Sequence, residues 1–182
     1  MRLLILAASL CLSAAASAQD AFPASELSFE SIFATRGDDE STIYSLLGAG
    51  FFRAPRSGQE DSLVVAWLAD HPDATVTPVS TMGPMMQDGT GDMIYVWISD
   101  GPDTLNVHLI RRGAFPGGVM EDHLAVARHM EEIEVPFEDE ASIRRFVPDA
   151  EYEDFIARVI AAEELAASEE LGLWAETESR GQ

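Results

Sequence analysis

The first 18 residues place the strongest constraint on what this chain folds into, because they have the pattern of a secretory signal peptide. Met1-Arg2 gives a positive start, Leu3 to Leu12 is apolar, and Ala16-Ser17-Ala18 is the small-x-small pattern that precedes a signal-peptidase cut. This apolar run is too short to span a bilayer, which takes about 20 residues. The sequence therefore predicts cleavage near Gln19, no membrane span in the mature protein, and a periplasmic or secreted location.

Cleavage would also remove the only cysteine, Cys11, and leave 164 residues. Leu10 stands directly before Cys11, where a lipoprotein signal needs a small residue, which argues against a lipid anchor. A mature chain without a thiol has neither disulfides nor thiolate metal ligands, so its stability must come from packing. Its length suits one domain. We expect a tether or first strand over 19–40, a single domain over 41–176 and a tail over 177–182.

Acidic side chains dominate the composition. The chain has 32 Asp and Glu against 11 Lys and Arg, a net charge of −21 that becomes −22 if Arg2 leaves with the signal peptide. Nucleic-acid binding draws most of its affinity from Lys and Arg that neutralise phosphates, so this charge argues against a nucleic-acid partner. We interpret the acidity as an aid to solubility rather than as a match for a specific cationic partner, and the sequence identifies no other partner.

Two short helices are predicted from their caps and periodicity. Ser57 and Glu60 form a capping-box pattern, and the apolar spacing that follows is helical until His71-Pro72. A second, two-turn helix is predicted after a cap at Asp103 or Thr104, with Gly113 placed as the left-handed residue after its end.

Further helices are predicted later in the chain. Met120–Ile133 has helical spacing, and Pro148-Asp149 opens a long last helix with one apolar stripe. We expect Gly172 to end that helix, with Leu173-Trp174 folding back as a hydrophobic tail. Ser41–Phe52 is predicted to be an extended, bent segment.

Two strands stand out between these helices. Ala74–Thr81 is predicted to be an edge strand, because Pro78 cannot donate to a β-ladder. Met93–Ile98, MIYVWI, is the strongest strand signal in the chain. Tyr95 and Trp97 lie on one face of it, and we interpret that aromatic face as core rather than as a ligand platform.

The second and last helices carry a resemblance to a known family. Leu105–Gly113, LNVHLIRRG, is similar to the valine-asparagine…leucine-valine-arginine-x-glycine helix of the staphylococcal-nuclease-like, or thermonuclease, family. Ala166–Glu176, which ends GLWAE, resembles the closing alanine…glycine-leucine/isoleucine-tryptophan segment of that family. The matching segments span 57–87, 91–114 and 149–176.

The resemblance implies an α+β fold, a small five-stranded β-barrel of the oligonucleotide/oligosaccharide-binding (OB) type packed by about three helices. Residues 117–146 are longer than the usual link to the last helix in that family, so we expect an extra helical insertion there. Six residues are expected to serve the fold rather than any chemistry: Trp67, Tyr95, Trp97, Gly113, Gly172 and Trp174.

The residues that the family uses for catalysis are not matched. The resemblance implies a bound calcium ion, two arginines that hold the phosphate, and a glutamate general base. The first arginine and the glutamate should fall between Tyr44 and Arg56, yet no carboxylate occurs from Ser41 to Gly58. The second arginine corresponds to Asp92, and an anion there would repel a phosphate by roughly 1 to 4 kcal/mol. We therefore expect no catalytic residues.

Calcium ligands are the one part of that site for which the chain has candidates. Gly37–Thr42 resembles a degraded form of the family's aspartate-glycine-aspartate-threonine run, with Asp38, Asp39 and Glu40 as the candidate ligands. We interpret them as a solvated acidic turn, so no metal or other cofactor is expected, and Ca²⁺ enters only if nuclease activity survives. The four histidines are interpreted as surface or structural residues: His71, His108, His123 and His129.

Three hypotheses follow for function. The first is an exported, acidic domain of staphylococcal-nuclease-like fold that has no nuclease activity and acts in binding or assembly outside the cytoplasm. The second is a residual calcium-dependent nuclease or phosphodiesterase. The third is an envelope factor unrelated to this fold. An arginine that faces a carboxylate cluster on the barrel would favour the second over the first.

Overall fold

A curled β-sheet and three α-helices make up the described part of the chain, which comprises residues 20–48, 57–82, 91–117 and 143–175 of a computed structural model. This confirms the mixed α+β class expected from the sequence. The strands in chain order are β1 Phe22–Pro23, β2 Leu27–Glu30, β3 Phe33–Arg36, β4 Asp39–Leu46, β5 Thr75–Met82, β6 Asp92–Asp100, β7 Asp103–Thr104 and β8 Ile143–Arg145. The helices are α1 Glu60–Asp70, α2 Leu105–Arg111 and α3 Asp149–Ser168, with short 3-10 helices at Ala24–Glu26 and Gly172–Trp174.

The order of the strands explains why the sheet curls. It runs β1-β5-β6-β4-β3-β2, with β7 beside β6 and β8 beside β5. The β4–β6 pair is parallel, and the other described pairs are antiparallel. β1 and β2 stand at opposite ends of this order, although only the turn Ala24–Glu26 separates them in the chain. The sheet therefore curls, because its two end strands, β1 and β2, are joined by this short turn.

Strand β6 is buried on both faces. Ile94, Val96 and Ile98 pack into one hydrophobic cluster with the inner faces of the other strands and with α1. Met93 and Tyr95 pack into a second cluster, against α3. A strand covered on both sides needs a nearly continuous apolar sequence. This is the physical reason for the strong MIYVWI signal, and the predicted strand is confirmed.

The prediction that the proline-containing strand lies at an edge is wrong. β5 pairs with β6 on one side and with β1 and β8 on the other. Its pairing with β1 ends at Val76, its pairing with β8 begins at Ser80, and the β6 register shifts between Pro78 and Ser80. Pro78 therefore lies where both ladders are interrupted, and a missing N–H donor costs least at such a position.

Helix α1 is confirmed, but its predicted capping box does not form. The N-cap residue is Gln59, and no side chain caps it. The Ser57 hydroxyl instead accepts a hydrogen bond from the Gln59 N–H at 3.2 Å, within the turn that precedes the helix. Val64 and Trp67 are buried, and the helix stops before His71 as expected.

Helix α2 is confirmed and ends at glycine as predicted. Gly113 has φ of 66°, the left-handed region that glycine adopts without strain. Its N–H donates to the Ile110 carbonyl at 2.8 Å, and the Ala114 N–H donates to the Leu109 carbonyl at 3.0 Å. These two bonds form a Schellman motif, which satisfies carbonyls at the end of a helix.

Helix α3 is confirmed, but the prediction that Gly172 ends it is wrong. The same pair of bonds occurs earlier, from Glu170 N–H to the Ala167 carbonyl at 3.2 Å and from Leu171 N–H to the Ala166 carbonyl at 2.9 Å. The left-handed residue is Glu170, with φ of 54°. Gly172 also has a positive φ, and the short 3-10 helix that begins there takes the chain back towards α2.

Other predictions are tested in part or lie outside the described residues. Residues 20–40, expected to be a tether or a first strand, contain β1 to β3, and β4 is the extended segment predicted from Ser41. Within the expected helical insertion, Ile143–Arg145 is a strand paired with β5. The signal peptide, the helix predicted over Met120–Ile133 and the tail lie outside the described residues.

Candidate functional site

The candidate calcium ligands and Asp92 come together at one end of the sheet. β4 and β6 are parallel neighbours, and Thr42 lies opposite Asp92 in their ladder. Both strands therefore begin at the same end, which carries Asp38, Asp39, Glu40 and Asp92. We call these four residues the acidic edge. It gathers the three candidate calcium ligands and the acid that, by the family resemblance, stands in place of a phosphate-holding arginine.

The carboxylate of Asp39 is bound within its own turn. The Ser41 N–H and hydroxyl both donate to Asp39 Oδ1, at 2.9 and 2.5 Å. Hydrogen bonds from Ser41, and then from Thr42, lower the pKa of Asp39. Gly37, with φ of 58°, opens the two-residue turn between β3 and β4. The hydrogen bonds from Ser41 and the turn at Gly37 thus account for the position of the Asp39 carboxylate.

Arg36 lies opposite Asp39 in the β3–β4 ladder, but its side chain is engaged elsewhere. Its Nε and Nη2 atoms lie 2.8 and 2.6 Å from Glu26 Oε2. The guanidinium carbon also sits 3.9 Å from the centre of the Phe22 ring. Glu26 accordingly raises the pKa of Arg36. This arginine is bound to β1 and the following turn, and it does not complement the acidic edge.

The acidic edge does not form a metal site within the described residues. Over that part of the chain, no three His, Cys, Asp or Glu side chains are arranged to hold an ion. Hard cations such as calcium take six to eight oxygen ligands. Asp38, Asp39 and Glu40 therefore remain candidates by sequence position alone.

The six residues expected to serve the fold occupy different environments. Trp67 and Tyr95 are buried, at 4% and 2% exposure. Trp97 is only half-buried, and its ring packs on Phe155 with centroids 4.7 Å apart. Trp174 is also half-buried, so the tail is not held by a fully enclosed indole ring.

Gly113 and Gly172 touch each other through their backbones. A Cβ added to Gly113 would lie 2.1 Å from the Leu171 carbonyl oxygen, and one added to Gly172 would lie 2.4 Å from the Gly113 carbonyl oxygen. The Leu173 N–H donates to that same Gly113 carbonyl at 2.9 Å. We call this contact the Gly113–Gly172 junction. It joins the two segments that carry the family resemblance.

Asn106, within the same motif, connects three elements. It is fully buried, its Oδ1 accepts from the Ile98 N–H at 3.1 Å, and its Nδ2 donates to the Leu47 and Val96 carbonyls at 2.8 and 2.9 Å. The side chain thereby ties α2 to β6 and to the end of β4. Its place in the LNVHLIRRG motif was the sequence signal for this role.

A groove between α1 and α2 brings His71 and His108 together, which sequence spacing did not indicate. The groove has a volume of about 460 Å³. His71 stacks on Trp67 at 4.0 Å, and its Nδ1 lies 2.8 Å from the Trp67 carbonyl oxygen. Its Nε2 lies 3.8 Å from Asp103 Oδ2. Both ring nitrogens are therefore directed at oxygens of the protein.

His108, on the same groove, is disfavoured in its charged form. Burial, and then the nearby charges of Arg112 and His71, lower its pKa, while Asp103 acts in the opposite direction. Among the described residues, no three His, Cys, Asp or Glu side chains in this groove are arranged to hold a metal ion, so it provides no metal site.

A second cavity, of about 390 Å³, lies between β6 and α3. Trp97 and Phe155 line it, and Glu151, Asp154 and Arg158 stand around it. Sequence reasoning assigned Trp97 to the core and missed this cavity. The available signal was the position of Glu151 and Asp154, each of which directly precedes a residue of the apolar stripe of α3.

The chain matches no protein-family model and no curated protein sequence. None of the described helices is both long enough and apolar enough to cross a membrane.

Proposed function

We propose that this chain is an exported, acidic domain of the staphylococcal-nuclease-like type that does not cleave phosphodiesters and acts in binding or assembly outside the cytoplasm. The signal-peptide pattern of residues 1–18 supports export. The family assignment is supported by the Gly113–Gly172 junction, because residues of the two motifs that suggested it are in direct contact.

The strand order supports an OB-type barrel for this domain. If β1 and β2 are one strand interrupted by the turn Ala24–Glu26, then β3, β4, β5 and β6 complete a set of five. The sheet then closes on itself, and β7 and β8 are short additions at its margins. OB barrels are five-stranded and partly open. This count supports the proposal that the eight segments of the described sheet form a five-stranded barrel.

The acidic edge is the observation that carries the proposed loss of nuclease activity. Asp39 and Asp92 begin neighbouring parallel strands, and Arg36, which lies opposite Asp39 in the β3–β4 ladder, is engaged by Glu26. Phosphoryl-transfer sites need cations where negative charge develops in the transition state. The acidic edge consists of carboxylates, and no cation from the described residues is directed at it. Its electrostatic field is therefore negative where phosphoryl transfer needs a positive one.

The test is a cleavage assay on the secreted protein with single- and double-stranded DNA and RNA in calcium buffer. We expect no cleavage above the level of a heat-inactivated sample. Calcium-dependent cleavage that is lost in Asp39→Ala and Asp92→Ala, but kept in the exposed α3 variant Glu153→Ala, would overturn the proposal. That outcome would establish the residual nuclease in its place.

Nucleic-acid binding without cleavage is tested separately by titration at several salt concentrations. We expect no binding at physiological salt, because the net charge of −21 repels phosphates. Micromolar binding with a steep salt dependence would show that an arginine surface outweighs the net charge. Export is tested by the N-terminal sequence of the secreted protein, which we expect to begin at Gln19.

A further inference from the structure

The cavity between β6 and α3 has the size and the wall of a small-molecule site. Its volume of about 390 Å³ falls within the usual range of ligand pockets, about 300 to 1,000 Å³. Trp97 and Phe155 form an aromatic wall, with ring centroids 4.7 Å apart and planes inclined at 32°. Ser99 and Thr104 add hydroxyl groups to the lining.

Trp97 is the exception on its strand. Every other residue from Met93 to Ile98 is buried, whereas Trp97 keeps part of its indole exposed. Large aromatic side chains contribute most to stability when they are fully enclosed. Partial exposure of this ring in an otherwise buried strand leaves an aromatic surface available to a ligand in the cavity.

The two acidic residues that line this cavity form no ion pair with a described residue. Glu151 and Asp154 are three residues apart, so they lie on the same side of α3. Both line the cavity, both are exposed, and neither forms an ion pair with another described residue. The cavity therefore combines an aromatic wall with two carboxylates that no described residue pairs in an ion pair.

Arg158 also lines the cavity, and its hydrogen bonds to described residues go to neutral oxygens. Asp154 and Arg158 are spaced i, i+4, which commonly gives an ion pair on a helix. Arg158 Nη2 instead donates to Thr104 Oγ1 at 2.9 Å and to the Pro102 carbonyl at 3.2 Å. Neutral oxygens thus hold the guanidinium, and Asp154 stays open to an external cation.

We propose that this cavity binds a small organic cation, an alkylated or primary ammonium group. The ammonium packs on the face of Trp97, the side chain that attracts cations most strongly through its ring. Glu151 and Asp154 supply the opposite charge, and the net charge of −21 raises the local concentration of cations. An anionic ligand is disfavoured by the same two carboxylates. This site is independent of the proposed lack of nuclease activity, because it lies on α3 and not at the acidic edge.

The test is an NMR titration of the Trp97 indole N–H in the full mature protein. Tetramethylammonium chloride is added at constant ionic strength, with sodium chloride as the matched salt. We expect a saturable shift of the Trp97 signal with tetramethylammonium and no saturable shift with sodium. The Trp67 and Trp174 signals, which belong to residues outside the cavity lining, serve as internal references.

Charge-neutral variants decide whether the two carboxylates hold the cation. In Glu151→Gln/Asp154→Asn we expect the apparent Kd to rise about tenfold, because the two negative charges that line the cavity are removed. Glu153→Gln removes an exposed acid of α3 that does not line the cavity, and it should bind as the parent does. Equal binding by the double variant, equal weakening by Glu153→Gln, or no saturation in the parent would overturn the proposal.

A second arm separates a free ammonium compound from the side chain of a basic polypeptide. Butylammonium and an N-acetylated, C-amidated lysine carry the same primary ammonium group, but only the second carries peptide groups. Saturable binding of either at the Trp97 signal supports the site. A preference for the lysine derivative identifies a protein side chain as the source of the cation, and a preference for butylammonium identifies a free amine.

Discussion

The Gly113–Gly172 junction and the acidic edge are held together by different kinds of contact. At the junction, two backbones meet so closely that an added Cβ would lie 2.1 Å from a carbonyl oxygen. At the edge, the turn glycine Gly37 has no atom within 4 Å of an added Cβ, and its acids are exposed. The two motifs that carry the resemblance to the staphylococcal-nuclease-like family meet at the junction, and the edge carries one departure from the family pattern, Asp92. Close backbone contact restricts the residue type far more than an exposed carboxylate does.

Alanine at the two glycines gives the largest expected difference between these regions. Gly113→Ala meets the Leu171 carbonyl in a left-handed backbone, so we expect a loss of more than about 3 kcal/mol in the free energy of unfolding. Gly37→Ala has the same backbone strain without the clash, and should lose about 1 kcal/mol. Urea denaturation of both variants measures the difference. Equal losses would mean that the junction is more open than the structure indicates.

Removing polar contacts from each region is the next test. Asn106→Ala deprives the buried Ile98 N–H and Leu47 carbonyl of their Asn106 bonds, and we expect a loss of about 2 to 3 kcal/mol. Ser41→Ala removes an exposed hydroxyl that donates to Asp39, and should change stability by less than about 0.5 kcal/mol. Chemical denaturation reports both values. A small effect of Asn106→Ala would show that its backbone partners find other bonds.

A stabilising substitution should be possible beside the junction. Glu170 holds the left-handed position that ends α3, so Glu170→Gly relieves strain and should raise the free energy of unfolding by about 0.5 to 1 kcal/mol. Glu164→Gly, at an exposed position inside the same helix, should lower it by a similar amount. Thermal unfolding gives the sign of each change. A destabilised Glu170→Gly would mean that the carboxylate makes a contact worth more than the strain.

The smallest expected effect is on the pH dependence of stability. The lowered pKa of His108 means that the unfolded chain binds a proton before the folded protein does. The stability that neutral His108 contributes is therefore present at neutral pH, and it is lost as pH falls below about 6.5, the ordinary pKa of histidine. The lowered pKa of Asp39 affects stability only near and below 3.8, the ordinary value for aspartate. His108→Gln should flatten the stability profile between pH 7 and 5, whereas Asp39→Asn should leave that interval unchanged. Unfolding curves measured from pH 7 to pH 5 test whether His108, and not Asp39, causes the loss of stability in this interval.

Local patterns in the sequence were sufficient for several elements. The helical spacing before His71, the apolar run of β6, the stripe of α3 and the glycine end of α2 each depend on neighbouring residues, and each was found. The Ser57–Glu60 cap and the end of α3 were misread. Serine has a competing turn hydrogen bond, and glutamate rarely takes the left-handed conformation, so neither outcome follows from residue preference.

The sequence by itself determined the acidic charge, and the family resemblance implied the α+β class that the structure has. Only the tertiary structure decided that Pro78 lies inside the sheet, that Arg36 is held by Glu26, and that Trp97 opens onto a cavity. Each of these depends on contacts between residues distant in the chain. Strand order and the direction of a long side chain are fixed by packing, and no local sequence period encodes them.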